Sequence, residues 1–301
     1  MTPPDDTLSS DPRPKSLAIL DGHFLIFRAY HALPELRAPD GVAVHAVLGF
    51  AQSLLKLRAR LPPLVLVAFD SDPATSFRTR LFPAYKQQRG RPPADLEPQF
   101  ALCIEASRAL GYARALAADY EADDVMATAV RRFGAGGRAI ELLTQDKDLV
   151  QLVTPTVTWV GFDGKLRLDP AAVRERFGIL PVQIPDYLAL VGDSVDNIPG
   201  VPGVGPKTAA TLLARFADVE AMLARTDELP PSVARALRAD PARVRLSRRL
   251  AELRDDVPLD VELDDLRPRS VQLAAARRFF GGLGLQRFIE RLEREGGAST
   301  A

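Results

Sequence analysis

Four short apolar runs punctuate the first half of the chain, and three of them stop at an aspartate. Leu17-Ala18-Ile19-Leu20 halts at Asp21-Gly22, and Pro63-Leu64-Val65-Leu66-Val67-Ala68-Phe69 halts at Asp70. Ala139-Ile140-Glu141-Leu142-Leu143 passes through Thr144-Gln145 to Asp146, and Thr156-Val157-Thr158-Trp159-Val160 is the fourth run. Uninterrupted apolar runs of this length suit strands covered on both faces. Between them, Val44, Val47, Leu48, Ala51, Leu54 and Leu55 recur at helical spacing. So do Val125, Met126, Ala129, Val130 and Phe133, with Gly134 as the expected C-cap. The alternation predicts an α/β domain over residues 16–180, a mostly parallel central sheet flanked by helices.

From about residue 181 the strand pattern disappears and helical periodicity takes over, with a soft boundary near 178–182. A Gly/Pro-rich stretch at 199–206 interrupts the helices. Residues 181–296 are therefore expected to form a helical region, with a helix–hairpin–helix at about 185–216. Residues 1–15, rich in proline and aspartate and without periodicity, read as a disordered tail.

Composition narrows the class. At 301 residues, 47% hydrophobic and 26% charged, the chain has the makeup of a globular protein. It holds no apolar run near the ~20 residues of a membrane span. The first residues lack the apolar segment of a secretory signal. A single cysteine, Cys103, cannot pair internally and fits a reducing cytoplasm. His23, His31 and His45 have no zinc-site spacing. The charge balance is neutral, 39 basic residues against 39 acidic, but the charges are segregated.

In open α/β sheets ligands gather outside the carboxyl ends of the strands, which is where Asp21, Asp70, Asp146 and Asp148 fall. Glu121, Asp123 and Asp124 open a predicted helix, and Asp193 and Asp196 lie three apart on one turn. Any one strand-end aspartate, taken alone, is more commonly a turn or capping residue, and part of the acidity at 121–124 is ordinary N-terminal capping. Nine carboxylates in one pocket would repel one another and could not all stay ionised without cations. Two hard divalent ions, Mg²⁺ or Mn²⁺, would answer that, in the arrangement used for in-line displacement at phosphorus. Setting the nine aside leaves 30 acids against 39 bases, a balance suited to a phosphodiester substrate.

The segment SFRTRLFPAYKQQRGRPPA (76–94) carries Arg78, Arg80, Lys86, Arg89 and Arg91 and no acid, with Phe77, Phe82 and Tyr85 interleaved. Such a pattern fits a nucleic-acid contact, bases on phosphates and rings on splayed nucleobases, or a solvated surface loop. Following the second strand-end aspartate, it is expected to overhang the crevice. Ile198 to Ala209 contains Gly200, Gly203 and Gly205 ahead of Lys207 and Thr208 and an apolar helix expected over 209–216. Pro206 separates Gly205 from Lys207 and no strand precedes, so this is not a Walker A loop. The glycines allow backbone to approach a phosphate, and the next helix start presents N–H groups to it.

LDGHFLIFRAYHA (20–32), FDSDPATSFRTRLFPAYKQQR (69–89), YEADDV (120–125), TQDKDLVQLV (144–153) and GDSVDNIPGVPGVGPKTA (192–209) together resemble the 5′-nuclease family: the 5′→3′ exonuclease domain of bacterial DNA polymerase I and the flap endonucleases. The resemblance implies a PIN-like nuclease core with an arch-like basic segment at about 72–100. It implies a two-metal hydrolase acting on DNA with 5′ flaps, nicks or free 5′ ends, RNA primers included, in replication or repair. By the same resemblance Asp21, Asp70, Glu121 and Asp123 surround one Mg²⁺, and Asp146, Asp148, Asp193 and Asp196 hold the other, Mn²⁺ being a substitute. Asp123 could be shared, and Asp124 belongs to the acidic set without a settled role. Lys86 and Arg89 would contact the scissile phosphate, Tyr85 would stack on a base and Arg28 would hold a phosphate. The hairpin would grip duplex, with K⁺ on its carbonyls and Ser194 as a potassium contact. With no polymerase segment following, a stand-alone, monomeric, cytoplasmic nuclease is expected. His23 and Phe24 stand where small residues are usual, and Gln145 where glycine is common. Packing is the favoured account of His23, tuning of the first metal site the other. The rival readings are a DNA-junction binder without catalysis and a PIN-type ribonuclease.

Overall fold

The computed structural model describes residues 16–71 and 75–297. The tail expected over 1–15 lies outside the described residues, as do residues 72–74 of the basic segment. In chain order the first domain runs β1 (Ser16–Asp21), α1 (Gly22–Ala32), α2 (His45–Arg58), β2 (Leu64–Ala68), α3 (Phe77–Leu81) and α4 (Glu97–Ala109). It continues with β3 (Ala113–Ala115), α5 (Ala122–Phe133), β4 (Ala139–Leu143), β5 (Val157–Val160), β6 (Arg167–Leu168) and α6 (Pro170–Phe177).

The six strands form one sheet in the order β3-β2-β1-β4-β5-β6. All pairings are parallel except the last, β5 with β6. β1 is central, with Leu17 opposite Leu64 on one side and Ile140 on the other. The four expected strands are present. β3 and β6, three and two residues long, are too short to show a hydrophobic period.

The two faces of the sheet bury separate cores. Leu17, Ile19, Leu64 and Leu66 pack with α5, while Ala18, Leu20, Val65 and Val67 pack with α1, α2 and α4. Burial on both faces is why these strands read as unbroken apolar runs rather than alternating ones.

Gly178, at φ 73°, caps α6 in the left-handed conformation and ends the α/β pattern. Seven α-helices follow among the described residues: α7 (Ile184–Val191), α8 (Pro206–Leu213), α9 (Val219–Ala224), α10 (Pro231–Ala239), α11 (Pro241–Ala251), α12 (Leu273–Gly282) and α13 (Gln286–Gly297). They do not form a free-standing lobe. Leu188, Ala209, Leu237 and Leu250 belong to the same core as Leu17 and Ile19, whereas Ala276, Phe280 and Phe288 close the opposite core. None of the described helices is long and apolar enough to cross a membrane.

Between α7 and α8 the chain doubles back. Asp193 and Ile198 exchange backbone hydrogen bonds of 2.9 and 2.8 Å, and the Val201 N–H donates to Leu190 O. A β-carbon on Gly200 would lie 2.5 Å from the Val191 carbonyl, so only glycine permits this crossing. α8 begins at Pro206, three residues before the expected start, because proline's fixed φ suits a first helical position. Phe216 falls beyond its end, still buried.

Candidate functional site

Asp21 ends β1 and caps α1, its Oδ1 accepting the Phe24 N–H at 2.9 Å. Its other oxygen accepts from the Thr144 hydroxyl at 3.0 Å, and the same hydroxyl accepts the Asp146 N–H at 3.0 Å. Asp146 Oδ1 in turn accepts the Asp148 N–H at 2.8 Å. Asp70, just past β2, reaches the start of α5, where its Oδ1 accepts the Ala122 N–H at 2.6 Å. Strand ends β1, β2 and β4 thus meet the N-terminus of α5 at one edge of the sheet.

Two lysines complete the ring. Lys147 Nζ bridges Asp148, at 3.1 Å, and Asp193 of the turn after α7. Lys86 Nζ lies 2.9 Å from Glu121 Oε2 and 3.7 Å from Asp196 Oδ2. Arg89 also pairs with Asp196. Of the nine acids read from the sequence, the structure gathers eight here: Asp21, Asp70, Glu121, Asp123, Asp146, Asp148, Asp193 and Asp196.

The electrostatics are those of a pocket with too much negative charge. Burial, with Asp70 and Asp146 nearby, pushes the Asp21 carboxyl up to about 7. Burial and Asp146 do the same to Asp148. Asp123 is raised well above the carboxylate range by burial and by Asp146 and Asp21. Burial also opposes the charges of Glu121 and Asp193, but there the ammonium groups outweigh it: Lys86, with Arg78, holds Glu121 low, and Lys147 holds Asp193 low. Among the described residues no three of these acids converge closely enough to cage an ion as they stand. The two ammonium groups lie between them instead, monovalent cations bridging carboxylate pairs. An all-oxygen donor set in this charge state suits hard divalent cations.

Three expectations are corrected. Asp124 is fully buried and points away from the cluster, gripping Arg78 through bonds of 2.7 and 2.9 Å. Arg78, 1% exposed, is therefore a core ion-pair partner and not a DNA contact. Tyr85, 5% exposed, packs in the core, with its hydroxyl 3.2 Å from Glu121 and 3.0 Å from Asp196. Its ring has no face open to a base. Residues 84–89 of the basic segment lie against the body. The Lys86 N–H donates to Asp196 O at 3.0 Å, Asn197 Nδ2 donates to Ala84 O, and Gln88 donates to the carbonyls of Ser194 and Val195. These bonds pin residues 84–89 onto the turn at 193–197, with Lys86 in the left-handed region at φ 53°.

The remaining basic residues are outward. Arg28, Arg91 and Lys207 are exposed, and Arg80 is exposed beside Asp119. Gly203, at φ 81°, and Gly205, the N-cap of α8, precede the half-buried Thr208 in the first turn of that helix, and Ser194 is exposed. Phe24 stacks on Phe162, centroids 5.0 Å apart, and serves packing; Gln145 is exposed. Sequence reading missed Thr144 and Lys147. Both stand inside the quoted Thr-Gln-Asp-Lys-Asp stretch; the available signals are an ammonium between Asp146 and Asp148 and a hydroxyl two residues before Asp146.

Residues 16–178 match the family described as 5′-3′ exonuclease, N-terminal resolvase-like domain, and residues 179–274 match 5′-3′ exonuclease, C-terminal SAM fold. DNA polymerase I of Rhizobium leguminosarum is 42% identical over 260 residues, which is 83% of this chain and 26% of the polymerase. The thermostable DNA polymerase I of Thermus aquaticus is 40% identical over 281 residues, 93% of this chain and 32% of that protein. The chain thus spans about a quarter to a third of the length of these relatives. Among solved structures, T5 5′-exonuclease with zinc bound superimposes with a TM-score of 0.65 at 20% identity, covering 93% of this chain and 99% of the other. The catalytic core of Rad2 with DNA gives 0.58 at 14% identity, covering 90% and 87%. The fold is shared with both.

Proposed function

The chain belongs to the 5′-3′ exonuclease family, and we propose that it hydrolyses DNA phosphodiesters at 5′ flaps, nicks and free 5′ ends in a divalent-metal-dependent reaction, in replication or repair. The observation that carries this reading is the meeting of acids from three strand ends, α5 and the turn at 193–196, with cationic side chains between them. Asp21, Asp70, Glu121 and Asp123 would hold one Mg²⁺ and Asp146, Asp148, Asp193 and Asp196 a second. Bound there, the pair supplies the positive charge and water activation that in-line displacement at phosphorus needs.

This chain's own residues do the rest. Lys86 and Arg89, tied to Glu121 and Asp196, present fixed positive charge where a scissile phosphate would approach the acids, and they stabilise charge developing on its oxygens. Thr144 holds Asp21 and Asp146 in register. The turn at 200–205 and the N-terminus of α8 offer backbone N–H groups to a duplex phosphate, contacts that position without reading sequence. K⁺ with the Ser194 turn belongs to the same proposal.

The deciding experiment is product sizing on a double-flap DNA labelled at its 5′ end, with Mg²⁺ and with EDTA. A metal-dependent flap-length product means endonuclease, and labelled mononucleotides mean exonuclease. Binding without any metal-dependent product would leave a junction binder, and a preference for single-stranded RNA would overturn the DNA assignment.

A further inference from the structure

Asp70 lies two residues beyond the last ladder residue of β2, where its backbone N–H has left the sheet. That N–H donates to Nδ1 of His23 at 3.0 Å, and the same nitrogen stands 3.7 Å from Asp70 Oδ2. The imidazole can reach because of Gly22. A β-carbon there would lie 2.6 Å from Ala68 O and from the Phe69 ring, so its absence lets the start of α1 close on the end of β2. The ring is then fixed by aromatic neighbours. It stacks on Phe100 with centroids 4.9 Å apart and planes 22° apart, and it meets Phe69 edge-on at 6.2 Å.

Asp70 is held at two points, by its backbone at His23 and by Oδ1 at the Ala122 N–H of α5. His23 itself belongs to the helix that Asp21 caps. The three-residue stretch Asp21-Gly22-His23 therefore places one acid of the cluster directly and a second through a hydrogen bond. We propose that His23 is a positioning residue, setting Asp70 against Asp21 so that both carboxylates serve one divalent cation. The inference rests on the divalent-metal reading above. It extends that reading from the acids to the imidazole. Partners of this kind beside metal ligands commonly change affinity by 10–100-fold.

Two substitutions separate positioning from packing. His23→Asn puts an amide oxygen close to where Nδ1 sits but gives up the stack on Phe100. His23→Phe keeps a stacking ring and removes the acceptor. Mn²⁺ binding to the whole chain by titration calorimetry, with Tm measured alongside, is the readout, and Asp70→Asn is the reference. The expected result is a Kd weakened about tenfold in His23→Phe, while His23→Asn stays near wild type despite a lower Tm. Wild-type affinity in His23→Phe, or affinity that follows Tm in both variants, would overturn the positioning role. Wild-type protein that binds no Mn²⁺, or an Asp70→Asn variant that binds it normally, would instead remove the metal reading, and the His23 proposal with it.

Discussion

Arg78 and Asp124 face each other in a two-pronged ion pair beneath the acidic cluster, closed off from solvent. The pair reaches further through its remaining atoms. Arg78 Nε donates to Leu250 O at 2.8 Å, and Asp124 Oδ1 accepts the Arg254 N–H at 2.8 Å. Short helix α3, α5 and the chain after α11 are thus fastened at one point. Removing one partner leaves a bare buried charge, which costs about 3–5 kcal/mol. Arg78→Ala and Asp124→Ala should each lose that much in urea denaturation, whereas an Arg78→Met/Asp124→Leu double variant should lose clearly less. Equal losses in all three would show that the charges are not what the site needs.

Asp146 touches the cluster on both sides, through Thr144 and through the Asp148 N–H. Asp146→Ala should bring flap cleavage down to background while junction binding, measured by fluorescence anisotropy, stays within a few-fold of wild type. Unchanged turnover would remove it from the reacting centre.

Lys86 is the cation closest to Glu121. Lys86→Ala should lower kcat by about a hundredfold, with a smaller change in KM, because its charge matters most as the phosphate becomes more negative. A KM effect alone would make it a phosphate anchor.

The raised carboxyls give the metal-free protein a definite pH response. Asp21 and Asp148 hold their protons to about 7 when folded, against 3.8 ordinarily. Between those limits the folded chain binds more protons than the unfolded one, so stability declines as pH rises through the window. Glu121 and Asp193 are shifted the other way and act only below about 4.5 and 3.8, their ordinary values, well short of about pH 5.5. In EDTA, Tm should be higher near about pH 5.5 than about pH 8 by roughly 5 °C or more. Adding Mg²⁺ at the higher pH should close the gap. A Tm indifferent to both would show that the acids are not crowded in solution.

Gly200 crosses the end of α7 with no room for a side chain. Gly200→Ala should push the turn at 200–205 away from Val191, cost about 1–3 kcal/mol and weaken duplex binding. A variant with wild-type stability and affinity would show that the crossing is loose.

Much of the site was readable because the signal is abrupt: a buried strand that stops at Asp21, Asp70 or near Asp146 leaves a carboxylate at the sheet edge. What could not be read was which way a charged side chain turns. Arg78 and Arg80 sit two apart in the same basic segment, yet one is buried and the other exposed. The difference is made by Asp124 and Leu250, 46 and 172 residues away. Tyr85 looked like a stacking ring for the same reason, and its burial is decided by the turn at 193–197. His23 looked like tolerated bulk because its partner, the Asp70 N–H, is 47 residues distant.

The core that runs from Leu17 and Ile19 into Leu188, Leu237 and Leu250 has a consequence for how the chain can be divided. The two family stretches meet between residues 178 and 179, but a cut there would strip one side of the sheet and bare the matching helices, so neither fragment should be obtainable as a well-behaved product. The two should melt together, in one transition that calorimetry would show, and a ligand that loosens one half should lower the melting point of both.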